Sequence, residues 1–233
     1  MAARALGVLC LCVVAARAFL LSRPTAGGAA PRSRSRVSAA ALEYRPGEVG
    51  DLLDIVDLAH AEFGKAYGDP VSRFGLRSVL TVGFFLRLTY GLDDDHRVIC
   101  CRDGESGDLL GLVEVSMQPY GNLAGPMPPP QWVKRAIGEV NDQPLQPYLS
   151  NLLVAPERRK AGIGGALVRA CEREAARWDM PRIALHHDTE DAKLDRFYRK
   201  LGYARPDDAP DDIAIDGFVL KLVTKRVASS SAS

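Results

Sequence analysis

The sequence has few of the features that tie a chain to metals, disulfides or nucleic acid. Five cysteines are spread over 233 residues; Cys10 and Cys12 lie near the N-terminus, and Cys100, Cys101 and Cys171 form neither a Cys-x-x-Cys pair nor a cluster with histidine. Disulfide and zinc frameworks need repeated spacing, so these three are read as free thiols and no metal is expected. If Cys100 and Cys101 lie on a strand, they face opposite sides of it. The apolar run at residues 6–21 is broken by Arg17 and is short for a membrane span. Acidic residues are absent from the first 42 positions, which carry six arginines (Arg4, Arg17, Arg23, Arg32, Arg34 and Arg36). Taking those six from the 30 basic residues leaves 24 against 29 acidic ones, a body with a net charge of about −5. A basic surplus of the kind that binds nucleic acid is therefore missing. Neither nucleic acid nor membrane is expected as a partner of the mature body.

The leader reads as an address. Arg4 gives it a basic start, residues 6–21 an apolar centre, and Ala16-Arg17-Ala18 a small-x-small cleavage pattern before Phe19. Residues 19–41 are then rich in Arg, Ser, Ala, Gly and Pro and have no acid, the composition of a transit segment. A signal peptide of about residues 1–18 followed by this segment resembles the bipartite plastid leaders of algae with secondary plastids. Mitochondrial import and simple secretion are the alternatives. The remainder, residues 42–224, is long enough for one core and short for two, with residues 225–233 read as a flexible tail.

Along the body, periodicity predicts a strand at residues 42–45, a helix over 48–63 and a second over 74–90. A hairpin is expected from residues 97–101 and 109–117 around the Gly/Asp/Ser turn at 103–108. Residues 119–147 are proline-rich, with a helix-compatible piece at 131–140, and are too long for a routine connector. A strand at 148–154, a helix at 162–178, a strand at 182–186 and a helix at 193–201 follow. Tyr203-Ala204 and residues 213–224 supply the last strands. The order βααβββαβαββ predicts a mixed α/β sheet.

The chemistry concentrates where the strand at 148–154 runs into Arg158-Arg159-Lys160-Ala161-Gly162-Ile163-Gly164-Gly165. Glycines there let the main chain approach a ligand closely, and the unpaired N–H groups opening a helix face it with the positive end of the helix dipole behind them. With three cationic side chains added, this turn suits a pyrophosphate. A nucleoside-triphosphate loop would end in Gly-Lys-Ser/Thr, where Gly164-Gly165-Ala166 stands. A dinucleotide fingerprint would need a small residue where Leu167 stands.

Arg159-x-x-Gly162-x-Gly164 resembles the Arg/Gln-x-x-Gly-x-Gly/Ala signature of the GNAT acetyltransferases, and it follows Val154-x-Pro156-Glu157 as in that superfamily. A second block resembles the superfamily's Asn-x-x-Ala-x-x-x-Tyr-x-x-x-Gly-Phe motif through Tyr198, Gly202 and Tyr203, with Asp191 in place of Asn and Leu194 in place of Ala. The insert before Tyr148-Leu149-Ser150-Asn151 is similar to that of plastid-targeted members. The resemblance implies the GNAT fold: a mixed, mostly antiparallel central sheet flanked by helices, with strands 4 and 5 splayed.

It also implies direct transfer from acetyl-CoA to an amine in a ternary complex, without a covalent enzyme intermediate. Leu152, Leu153 and Val154 would bind the pantetheine through their main chain, one N–H polarising the thioester carbonyl. Arg159, Lys160, Ala161, Gly162, Ile163, Gly164 and Gly165 would hold the pyrophosphate. Tyr198 would sit by the sulfur and protonate the departing thiolate. The acceptor amine must be neutral to attack, so a general base is expected, with Glu114 and Tyr148 as candidates. His186 and His187 titrate near neutrality and are weaker candidates. The acceptor is expected to be a protein N-terminus or lysine side chain; small amines, or acyl-CoA binding without catalysis, are the alternatives.

Overall fold

The computed structural model describes residues 42–90, 96–121, 144–215 and 218–227. The leader, the helix-compatible piece at 131–140 and residues 228–233 lie outside them. Strand β1 (Leu42–Pro46) leads through a 3-10 turn into α1 (Leu52–Phe63) and α2 (Pro70–Tyr90). Three strands follow: β2 (His96–Asp103), β3 (Leu109–Pro119) and β4 (Leu145–Val154). Then come α3 (Ile163–Arg177), β5 (Arg182–Asp188), α4 (Ala192–Lys200), β6 (Ile213–Ile215) and β7 (Phe218–Arg226). The seven strands form one sheet in the order β1-β2-β3-β4-β5-β7-β6. Every pairing is antiparallel except β4 with β5.

The period-2 alternation of β2 serves two cores at once. Val98 and Cys100 pack with Ile55, Val56, Ala59, Leu80 and Phe84 of α1 and α2. Ile99 and Cys101 pack on the other face with Ile163, Leu167 and Cys171 of α3. Cys100, Cys101 and Cys171 are buried and free, and the two neighbours face opposite sides. Helix α3 binds the sheet through a single stripe, Ile163, Leu167, Ala170, Cys171 and Ala175, at the spacing expected of an amphipathic helix. The fit is closest at Gly111 of β3, where a Cβ would meet the Leu153 carbonyl oxygen at 2.9 Å and Leu167 Cδ1 at 3.1 Å. Gly111→Ala is therefore expected to cost about 1–3 kcal/mol in a urea unfolding experiment, through forced movement of β3 from β4 or from α3. A loss under about 0.5 kcal/mol, the level of an exposed site, would show that the contact yields freely.

Several element limits differ from expectation for local reasons. Helix α2 starts at Pro70 rather than Phe74, because Asp69 accepts the Ser72 N–H at 2.8 Å and proline suits a first helical position. The run expected as one strand over 213–224 is two: β6 and β7 pair antiparallel from Ile213↔Leu220 to Ile215↔Phe218. Ala204 contributes an isolated bridge to Thr224. Strand β7 continues to Arg226, and Val227 N–H donates to the Pro181 carbonyl at 3.0 Å, so the body extends past residue 224.

Candidate active site

The parallel pair β4 and β5 is joined at a single position, Tyr148↔Ala184. By contrast β4 follows β3 from Gly111↔Val154 to Pro119↔Leu145, and β5 follows β7 along its whole length. Beyond Tyr148 the two strands part, leaving a wedge that opens toward their C-terminal ends. A bulge accompanies the parting. Leu112 pairs with Leu153 and Glu114 with Ser150, so Val113 stands opposite both Asn151 and Leu152, and Asn151 has φ +51°. Ala155 N–H donates to the Leu110 carbonyl at 2.9 Å. By alternation, Leu153 also turns its main-chain groups toward β3, while those of Leu152 and Val154 face the wedge. Leu153 itself buries its side chain against α1 and α2.

At the wide end of the wedge, a 3-10 turn (Pro156–Arg158) leads to α3. Gly162 is the N-cap residue, with φ +87°, and no side chain caps the helix. A Cβ on Gly162 would meet nothing within 4 Å, so open space lies before the helix start. The uncapped N–H groups there and the bare wall of β4 fit the diphosphate and extended arm of coenzyme A. Ile163 gives only its main chain, since its side chain is core. Lys160 and Ala161 are exposed beside the opening. Arg159 ties the turn down: its Nε donates to the Val154 carbonyl at 3.1 Å and its Nη2 lies 2.9 Å from Glu62 Oε2 on α1. A Cβ on Gly164 would lie 3.6 Å from Phe197 and 3.7 Å from Val154, so α3, α4 and β4 converge at this point.

Asp191 takes a role that aspartate fills as well as asparagine: it caps α4, accepting from the N–H groups of Lys193 and Leu194 at 2.9 and 3.1 Å. The helix so started places Tyr198 among three rings: His187, stacked at 5.6 Å between centroids; Phe197 at 5.0 Å; and Tyr203 at 5.8 Å. Burial raises the Tyr198 pKa above the ordinary phenol value. It therefore carries its proton at neutral pH, available to a sulfur that leaves with growing negative charge. His187 is turned inward, with Nδ1 on the Asp188 carbonyl at 2.9 Å, and supports the Tyr198 ring.

Tyr148 and His186 meet where the wedge closes. The Tyr148 hydroxyl lies 3.0 Å from His186 Nδ1 and accepts the His186 main-chain N–H at 3.3 Å. Burial lowers the His186 pKa to about 4, so its imidazole is neutral at physiological pH and Nδ1 takes the phenol's hydrogen bond. The sequence names both residues but not their contact, which needs the Tyr148↔Ala184 register.

Glu114, expected as a candidate base, is instead a buried anchor. It is fully buried; Arg87 of α2 donates to its carboxylate at 2.7 Å, Asn151 Nδ2 reaches it at 2.6 Å and His96 Nε2 at 2.6 Å. Burial alone would raise its pKa, but the charge of Arg87, with the bonds from His96 and Asn151, holds it below the ordinary carboxylate value. A carboxylate so held is a poor acceptor for a substrate proton. Arg87, His96 and Asn151 were not among the expected site residues.

A sequence profile of the acetyltransferase (GNAT) family matches residues 55–203. Comparison by sequence with curated proteins finds no match. Among solved structures, the chain is similar to Arabidopsis thaliana NAA60 in complex with a bisubstrate analogue (18% identity, 81% of this chain and 99% of that one, TM-score 0.53). It is also similar to the PaiA N-acetyltransferase of Thermoplasma acidophilum in complex with coenzyme A (14% identity, 79% and 98%, TM-score 0.51). The spermidine/spermine N-acetyltransferase SpeG of Vibrio cholerae is a third (18% identity, 80% and 94%, TM-score 0.50). At these identities the likeness is one of fold.

Proposed function

We propose that this chain, which belongs to the acetyltransferase (GNAT) family and so is an N-acetyltransferase using acetyl-CoA, acetylates protein or peptide amines, with Tyr148 and His186 taking the acceptor's proton. The observation that carries this reading is the Tyr148–His186 contact at the closed end of the wedge, 3.0 Å from hydroxyl to Nδ1. An amine arriving there stands between a proton acceptor and the main chain of β4. As the neutral amine forms the new N–C bond its nitrogen becomes cationic and its N–H acidic, so its proton passes to the Tyr148 oxygen and the phenol's own proton to His186 Nδ1, a weak base that hands it on to solvent. The thioester C–S bond breaks, and the sulfur takes a proton from Tyr198. Outward-facing N–H groups of β4 receive the charge that grows on the carbonyl oxygen.

An α-amino group, with a pKa of about 8, needs less help from a base of this kind than a lysine at about 10.4. This supports protein N-termini as the first acceptors, with lysine side chains second. The likeness to Vibrio SpeG, a spermidine/spermine N-acetyltransferase, keeps polyamines as a second reading. The signal-like and transit-like halves of residues 1–41 support delivery to a plastid.

Thiol release by the purified chain, with acetyl-CoA and panels of peptides and polyamines, tests the proposal. Mass spectrometry of the peptides then separates α-amino from lysine acetylation. Acetyl-CoA binding without acceptor-dependent thiol release would leave a binding module only. Tyr148→Phe is expected to lower kcat/KM for the acceptor about tenfold while acetyl-CoA affinity stays unchanged. An unaltered kcat/KM for the acceptor would remove Tyr148 from the proton path.

A further inference from the structure

We propose that Asn151 is a positioning residue: its side-chain amide, gripped by the buried Glu114 carboxylate, holds the β4 bulge and so aims the outward main-chain groups of Leu152 and Val154 at the acetyl-CoA thioester. This rests on the reading that the wedge holds acetyl-CoA.

The bulge has a specific weak point. Asn151 sits inside a strand with φ +51°, in the left-handed region that most side chains avoid and asparagine tolerates better than others. Tolerance does not hold it there. The bond from Nδ2 to Glu114 Oε2, at 2.6 Å, supplies the restraint, and Asn151 is 5% exposed, so water does not compete for the amide. Glu114 is itself immobile, bound by Arg87 from α2 and His96 from β2. Two elements thus grip one carboxylate on β3, and the carboxylate grips the bend in β4. One residue farther along β4 begin the groups that face the wedge. Donors to a developing oxyanion lose most of their effect when displaced by about 1 Å. A bend free to relax toward regular pairing would rotate Leu152 and carry that donor off its target.

Substitutions at Asn151 leave the Arg87–Glu114–His96 bonds in place and separate the bend from general packing. Alanine removes the amide and resists the left-handed region; glycine removes the amide but adopts it freely. Asn151→Ala and Asn151→Gly are each expected to weaken acetyl-CoA binding, or to lower kcat, by about tenfold, because glycine tolerates the bend but nothing then holds it there. Binding is read by calorimetry without an acceptor, and kcat and KM are read well below the melting temperature. A purely structural role would lower Tm in both variants and leave the kinetics of folded protein unmoved. Asn151→Ser serves the same comparison if N151A does not fold. Native affinity and kcat in either N151A or N151G would overturn the proposal, the glycine result showing that the left-handed bend needs no side-chain bond to hold it. If the native chain itself binds no acetyl-CoA, the reading of the wedge fails; if native chain and N151A bind it equally, only the clamp does.

Discussion

Glu114→Ala is expected to lower the free energy of unfolding by about 3–5 kcal/mol, the cost of breaking a buried ion pair and leaving one charge behind. The side chain of Arg87 is 2% exposed and that of Glu114 0%, so neither water nor salt can take over when the carboxylate is removed. Arg87 of α2 would lose the carboxylate it is bound to, and the donors of Asn151 and His96 would lose the same acceptor. Replacing both members of the pair, as in Arg87→Met with Glu114→Leu, should recover part of the loss, because it removes the stranded charge but not the stranded amide and imidazole. Urea unfolding curves with unchanged slope would measure both effects. The experiment also separates an anchor from a base. Loss of a base would lower turnover and leave the curve in place; a shift under about 1 kcal/mol would mean that Glu114 supports little.

Tyr198→Phe is expected to lower kcat by about a hundredfold while changing acetyl-CoA affinity little. The phenylalanine ring keeps the contacts with His187, Phe197 and Tyr203, so α4 stays in place. What disappears is the proton for the departing sulfur. Burial favours the protonated phenol, so at neutral pH the native chain holds that proton ready. Single-turnover rates are the appropriate measurement, because product release can hide a slower chemical step. Equal single-turnover rates in the two proteins would assign Tyr198 to packing alone.

What could be read in the sequence was what is local. Arg159, Gly162 and Gly164 lie within six residues, and strand, turn and helix are contiguous, so the spacing alone describes the corner the structure shows. Asp191, Tyr198 and Gly202 belong to one short helix and its two ends, and are legible for the same reason. The Tyr148–His186 contact spans 38 positions and depends on a parallel register of one residue pair. Glu114 misled because Val113-Glu114-Val115-Ser116 alternates as a half-exposed strand does. Helix α2 covers that face, and the signal lay in α2 itself, where Arg87 is set within Phe84-Phe85-Leu86 and Leu88. A cation set in an apolar stretch of a helix asks for a buried anion. The left-handed bend at Asn151 left no trace in periodicity, because a bulge adds one residue without changing residue types.

Parting β4 from β5 gives this sheet two rims in its interior, besides those at β1 and β6. Each is a row of amide and carbonyl groups turned toward a gap, in the middle of a molecule where such rows are otherwise paired. The donor molecule's arm is an extended chain with two amides of its own, and laid along β4 it stands in for a strand. Filled, the seam makes one continuous sheet; empty, it leaves two half-sheets hinged at Tyr148 and Ala184. The cohesion of the protein therefore follows the local supply of its own substrate, rising with acetyl-CoA as mass action requires.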